Sequence, residues 1–184
     1  MPVPTCPTEC NANLAPVEFD RCNPSIYLSE IRRIFVAKKD SAPFTDVSVA
    51  SEWLDRLSET STVGDDYIRP LTVIGDKPAP TATDKEISGG RKVRTNKTHI
   101  INWTVDETNT TNHEFFRELE CGGEYRMWYE TAGGLLFGGN EGIVVRLVAD
   151  MVLNRGEGEI QMYNGTAEWK SKFTEEFVQS PIAI

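Results

Sequence analysis

A chain of 184 residues with a net charge of −9, 39% hydrophobic and 26% charged residues has the composition of one soluble globular domain. Its acidity argues against nucleic acid as a tightly held ligand, since phosphate binding needs clustered Lys and Arg. No run of about 18 apolar residues is present, which excludes a helical membrane span.

Residues 1–25 hold Pro2, Pro4, Pro7, Pro16 and Pro24 with few aliphatics. Proline denies such a segment regular ladders, so it reads as an extended arm, either packed on a neighbouring subunit or disordered, ahead of a single domain over 26–184. Its N-terminus, MPVPTCPTEC, has neither a basic nor an apolar signal region, the expectation for a chain folding in a reducing cytoplasm. Cys6, Cys10, Cys22 and Cys121 have no CxxC spacing. Zinc on Cys6, Cys10, Cys22 and a histidine matches no known finger, which leaves reduced thiols or a disulfide within the arm.

Leu28 to Ala37 reads as a strand with both faces apolar at its end, the mark of a central position. A helix fits Val47 to Leu57, with Val49, Ala50, Trp53, Leu54 and Leu57 on one stripe. Tyr67 to Gly75 is a strand closed by Lys77-Pro78-Ala79-Pro80. Asp84 to Thr95 alternates around Gly89-Gly90, a bulge or a hairpin turn. The basic run Arg91 to Lys97 reads as a solvated face.

Lys97 to Glu130 then runs strand, helix, strand. His99, Ile101, Trp103 and Val105 alternate with polar residues. Thr111, three residues before Glu114, predicts a capping box, and Gly122-Gly123 a helix end. Tyr125, Met127 and Tyr129 alternate again. Gly133 to Gly142 is a glycine-rich hairpin connection with a short apolar tip; it lacks the GK[ST] ending of a phosphate loop. Ile143 to Asn154 is the longest strand, Glu159 to Tyr163 another, and Asn164-Gly165 a second hairpin signal before a strand carrying Ala167, Trp169, Ser171 and Phe173. The sum, seven or eight strands and two short helices, is a mainly β fold: an antiparallel sandwich or barrel with one packed helix and a short second one.

Catalysis has little to stand on. His113 beside Glu114 cannot pair with it, because adjacent helix residues do not face each other. Glu118, Glu120 and Glu124 match no EF-hand spacing, and Cys121 has no activating cation in sequence. No GxSxG, HExxH or Walker pattern occurs. No catalytic, metal or cofactor site is therefore assigned, and the chain reads as a non-enzyme. A carbohydrate-binding sandwich would need Trp128, Tyr129 and Trp169 as stacking platforms on one exposed face.

CNPSIYLSEIRRIFVAKK, SEWLDRL, the turn Ile87 to Arg91, FFRELE, MWYETAGGLLFGGNEGI and AEWKSKF together resemble the major tail tube proteins of long-tailed phages. More narrowly, they resemble a virion protein of phages and prophages of Bacteroidetes, over most of the chain after about residue 22; the cysteine-bearing arm departs from that pattern. The resemblance implies hexameric rings stacked into a tube through which DNA passes without specific binding, no membrane insertion, and a virion protein assembled in the host cytoplasm. It implies a polar, acidic lumen face, the helix Thr111 to Glu120 on the outside of the barrel, and the 133–142 and 76–90 loops reaching adjacent rings. A capsid decoration or head–tail connector protein, binding another virion protein, is the competing expectation.

Overall fold

The computed structural model describes residues 17–58 and 66–182. The expected readings on Cys6 and Cys10 lie outside the described residues. Nine strands and two helices follow in order, and six of the strands close into an antiparallel barrel.

β1 (Ile31–Lys38) pairs with β2 (Ile68–Asp76) on one side and β5 (Glu124–Thr131) on the other. This is the central position its two apolar faces foretold. Ile34 and Val36 point into the barrel, while Phe35 and Ala37 point outward under α1 (Ala50–Leu57). From β2 the circuit passes to β4 (Arg91–Val105), β8 (Met162–Ser171), β7 (Ile143–Val152) and back to β5. Every pairing is antiparallel, and the circuit of pairings closes on itself.

Its interior is filled. Ile101, Trp103 and Val105 of β4, Val145, Leu147 and Ala149 of β7, and Tyr163, Ala167 and Trp169 of β8 meet Met127 and Tyr129 of β5. α2 (Thr110–Glu120) links β4 to β5 and lies across one mouth of the barrel, where Phe116 and Leu119 join that core. Phe116 sits 4.0 Å from the Tyr163 ring, centroid to centroid. The helix is thus an end plug rather than an outer cover, because its apolar stripe aims at the ring of inward residues that end β4 and begin β8. Its cap also differs from the expected box. Asn109 is the N-cap and its Oδ1 accepts from the Asn112 N–H at 2.8 Å, so Thr111 lies inside the first turn.

A second core lies outside the barrel wall. Trp53 of α1 is fully buried against Phe35, Phe44 and Trp128, and its Nε1 donates to the Val47 carbonyl at 2.8 Å. Leu54, expected on the same stripe, is 64% exposed, so the buried face is narrower than the sequence pattern. The glycine-rich connection folds back on this core instead of standing free. Short β6 (Leu135–Phe137) pairs with β5 and with β9 (Phe177–Gln179), and Leu136 is buried. Gly138 and Gly142 lie flush against the Trp128 indole, where a Cβ at either would come within 2.6 Å of the ring. The Trp128 Nε1 donates to the Gly139 carbonyl at 2.8 Å.

Two expected breaks vanish. The strand anticipated just after Gly89-Gly90 and the one over 99–105 are one continuous β4, while Gly89-Gly90 form the hairpin turn, one of the two expected readings, that joins it to β3 (Thr81–Ile87). The strands anticipated at 159–163 and 167–173 are one β8, with Asn164 and Gly165 in mid-strand. Gly165 is needed there because the Trp103 indole crosses its backbone inside the barrel, and a Cβ would fall well under 3.0 Å from the ring. The turn that joins β7 to β8 lies within 153–161, where Arg155-Gly156-Glu157-Gly158 gives the sequence signal for it. Among the described residues no helix is long and apolar enough to cross a membrane.

Candidate functional site

The mouth opposite α2 is closed by polar residues. There β2 ends, β5 ends, β4 carries His99 and β8 carries Trp169, while the loop between β8 and β9 brings Glu175 over the opening. His99 and Trp169 are directly paired across β4 and β8, and their rings stack at 5.2 Å. Sequence alternation placed both on the inward face. It gave no sign of Glu175 or Lys77, which sit on loops and are aimed by tertiary folding alone.

Glu175, with 5% of its side chain exposed, gathers the site. Its Oε2 accepts from Lys77 Nζ at 2.6 Å and, more weakly, from the Tyr129 hydroxyl at 3.4 Å; its Oε1 accepts from Trp169 Nε1 at 3.0 Å. His99 is fully buried with Nδ1 3.1 Å from the same Oε1. That contact lacks hydrogen-bond alignment, and among the described residues Nε2 has no hydrogen-bond partner. The Lys77 ammonium lies 5.6 Å from the centroid of the Trp169 ring and 6.0 Å from that of Tyr129, a cation–π setting.

Burial pushes the Glu175 carboxyl up. Hydrogen bonds from Lys77 and from its own backbone amide, with the charges of Lys77 and His99, outweigh that effect and hold it below the usual carboxylate range. The Tyr129 hydroxyl is driven far upward, first by burial and then by the Glu175 carboxylate, so it stays protonated and donates. A second buried pair flanks the barrel: Glu130, 1% exposed, accepts from Arg33 Nε, and Arg33 also donates to the Ile182 carbonyl at 3.3 Å.

Beside the mouth lies a cavity of about 640 Å³ walled by Tyr27, Leu28, Ile31, Lys77, Tyr129 and Phe137. Its one ammonium is already held by Glu175. The Glu175 carboxylate thus accepts from a lysine and from two aromatic donors, which brace it across the mouth.

The other residues singled out from sequence are scattered. His113 Nδ1 meets the Tyr163 hydroxyl at 2.5 Å rather than Glu114. Glu114, Glu118 and Glu120 are exposed on α2, and Glu124 pairs with Lys39. Among the described residues no three of His, Cys, Asp and Glu converge as metal ligands. Cys22 and Cys121 are exposed free thiols. Trp128, Tyr129 and Trp169 are 0%, 3% and 6% exposed, so they are core residues and offer no stacking platform to a sugar.

Fold and mouth together define a closed antiparallel β-barrel, with the apolar face of α2 at one end and a charged cluster at the other. No protein-family model matches the chain, and no curated protein matches it.

Proposed function

We propose that this chain is a structural virion protein, not an enzyme, which self-assembles into stacked rings forming the tail tube of a long-tailed phage. The observation that carries the reading is the β3–β4 ribbon. All seven residues of β3 and the first six of β4 are exposed, and the ribbon extends for about 23 Å at the usual strand rise. A two-stranded hairpin with nothing beneath it is marginal in water, so a chain that keeps one has a partner surface for it. Among the described residues both edges of the ribbon beyond Lys97 are unpaired, and strand edges left open invite pairing with another chain. The buried charges at the barrel mouth brace each other, which suits a rigid building block.

Negative-stain microscopy and sedimentation of the purified protein test the proposal. Rings or tubes that grow with concentration are expected. A monomer at every concentration overturns it, and association only with a separate capsid or connector protein replaces it by the decoration or connector role.

A further inference from the structure

The two faces of the β3–β4 ribbon are chemically different. On one face Asp84 stands opposite Arg94 at 3.3 Å and Glu86 opposite Lys92, so its charges cancel locally. On the other, Lys85 stands opposite Val93 and Ile87 opposite Arg91. That second face carries two cations with no carboxylate across from them and two aliphatics that are 38% and 46% exposed. Arg91 finds only the Ser88 carbonyl, within its own turn. The segment 81–97 has a net charge of +3 in a chain of net −9.

A matching surface lies at the opposite end of the barrel. Between α2 and β7 runs a cleft of about 240 Å³ lined by Leu119, Leu147, Val148 and Ala149, of which only Val148 is open to solvent, and by the carboxylates Glu120 and Asp150. Val148 is 41% exposed there. The cleft's cation, Arg146, stands directly across from Glu168 on β8. From Asp106 to Glu124 the chain has six carboxylates and one arginine, a net charge of −5.

We infer that the Lys85/Ile87/Arg91/Val93 face of one copy docks in the α2–β7 cleft of a second copy, its aliphatics against the exposed Val148 and its cations against Glu120 and Asp150. The ribbon leaves the barrel at the Glu175 mouth and the cleft sits at the α2 end, so a chain cannot fill its own cleft and the contact is head-to-tail. A heterologous contact of this kind propagates, closing into rings or running on as a stack. The inference rests on the self-assembly reading and names its interface.

The test is a charge swap between two variants. Lys85→Glu with Arg91→Glu reverses the ribbon; Glu120→Lys with Asp150→Lys reverses the cleft. All four side chains are on the surface, and thermal melts of each variant confirm folding. Sedimentation of the wild type is expected to show assembly that weakens as salt rises from about 0.05 to about 0.5 M, as screened surface charges require. Each variant alone is expected to need about tenfold more protein for half-assembly, from the loss of two exposed ion pairs. An equimolar mixture of the two variants is expected to restore assembly, because each then offers the other a complementary ribbon and cleft.

If the ribbon variant assembles like the wild type, the docking is overturned while self-assembly stands. If both variants fail and the mixture is no better, the ribbon's partner surface lies elsewhere and the pairing is overturned. A wild type that stays monomeric overturns the self-assembly reading and this inference with it. Retardation of a fluorescent DNA duplex that is lost in the ribbon variant without any change in sedimentation would make the ribbon a nucleic-acid contact instead.

Discussion

Gly165→Ala is a one-methyl change in the middle of a ten-residue strand, and its cost follows from the Trp103 indole. The inward face of β8 at position 165 is occupied by that ring: an added Cβ falls inside 3.0 Å of Cζ2, Cε2 and Cη2. Carbon pairs rest at about 3.5 to 4.0 Å, so the indole must retreat by about 1 Å or β8 must bow outward by as much. Neither is easy. Trp103 is 2% exposed and its ring stacks at 6.0 Å on Phe116, which in turn packs on Tyr163. β8 is held on both sides, by β4 and β7.

Overpacking of a filled core costs about 1–3 kcal/mol, and the smaller entropy of an alanine in the unfolded chain returns about 0.4–1 kcal/mol of that. A net loss of about 1–2 kcal/mol is expected, read as a lower urea midpoint with an unchanged slope in far-UV circular dichroism. In a Trp103→Phe background the smaller ring leaves room for the methyl, so the alanine is expected to cost close to nothing and the two changes to be strongly non-additive. If Gly165→Ala is neutral in the wild-type background, or equally costly in the Trp103→Phe background, the steric account is wrong. A turn role for Gly165 is the one that such additivity would leave standing.

Three further outcomes separate what the structure says from what the sequence suggested. Asn109→Ala is expected to lower stability by about 1 kcal/mol through the lost N-cap, and Thr111→Ala by much less, as seen in chemical denaturation; the reverse order would restore the capping box. Because the Glu175 carboxyl is held below the usual range in the folded chain, its stabilisation is complete above the unfolded-state value and is lost as pH falls through the folded one. Wild-type stability should therefore drop as pH falls from about 5 to about 3, with the Glu175→Gln curve lower near neutral pH, flatter over that window and converging on the wild type at its acid end; parallel curves would show that Glu175 is not a linked group. Arg33→Met, which leaves Glu130 buried without its cation, is expected to cost about 3 kcal/mol or more, whereas Arg33→Met with Glu130→Met should recover most of that loss in the same melts.

The barrel was legible wherever one face of a strand is buried and the other wet. β4 from His99 to Val105, β7 as far as Ala149 and β8 at Ala167 and Trp169 alternate cleanly with the expected residues inward, whereas Met151, Leu153 and Phe173, expected on the same faces, are exposed. β1 announced its central place through apolar residues on both faces. The errors came where local chemistry has two meanings. Asn-Gly is a turn signal by propensity, yet Gly165 is required by a tryptophan 62 positions earlier in the chain, a contact no local window contains. Thr111 and Glu114 have capping-box spacing, yet Asn109 is two residues closer to the strand end and takes the cap first. The charged mouth was half legible. Period-2 spacing put His99, Tyr129 and Trp169 on one face, but Lys77 and Glu175 reach it from loops 98 residues apart.

The same packing decides where a conduit could lie in any assembly of this chain. An eight-stranded barrel is about the size that side chains just fill, and this one has six strands. Trp103, Phe116, Met127, Tyr129 and Trp169 meet inside it, α2 closes one mouth, and Glu175 with Lys77 closes the other. No strand's inner face is free to line a channel. A passage wide enough for DNA must then be bounded by outward faces of several copies. The sheet β2–β4–β8–β7 turns Thr72, Asp76, Asn102, Asn164, Thr166 and Asp150 outward, alongside Arg146, Glu168 and Lys170, a mixed polar and charged surface. The outer wall of the barrel, not its bore, is the surface on which the tube reading depends.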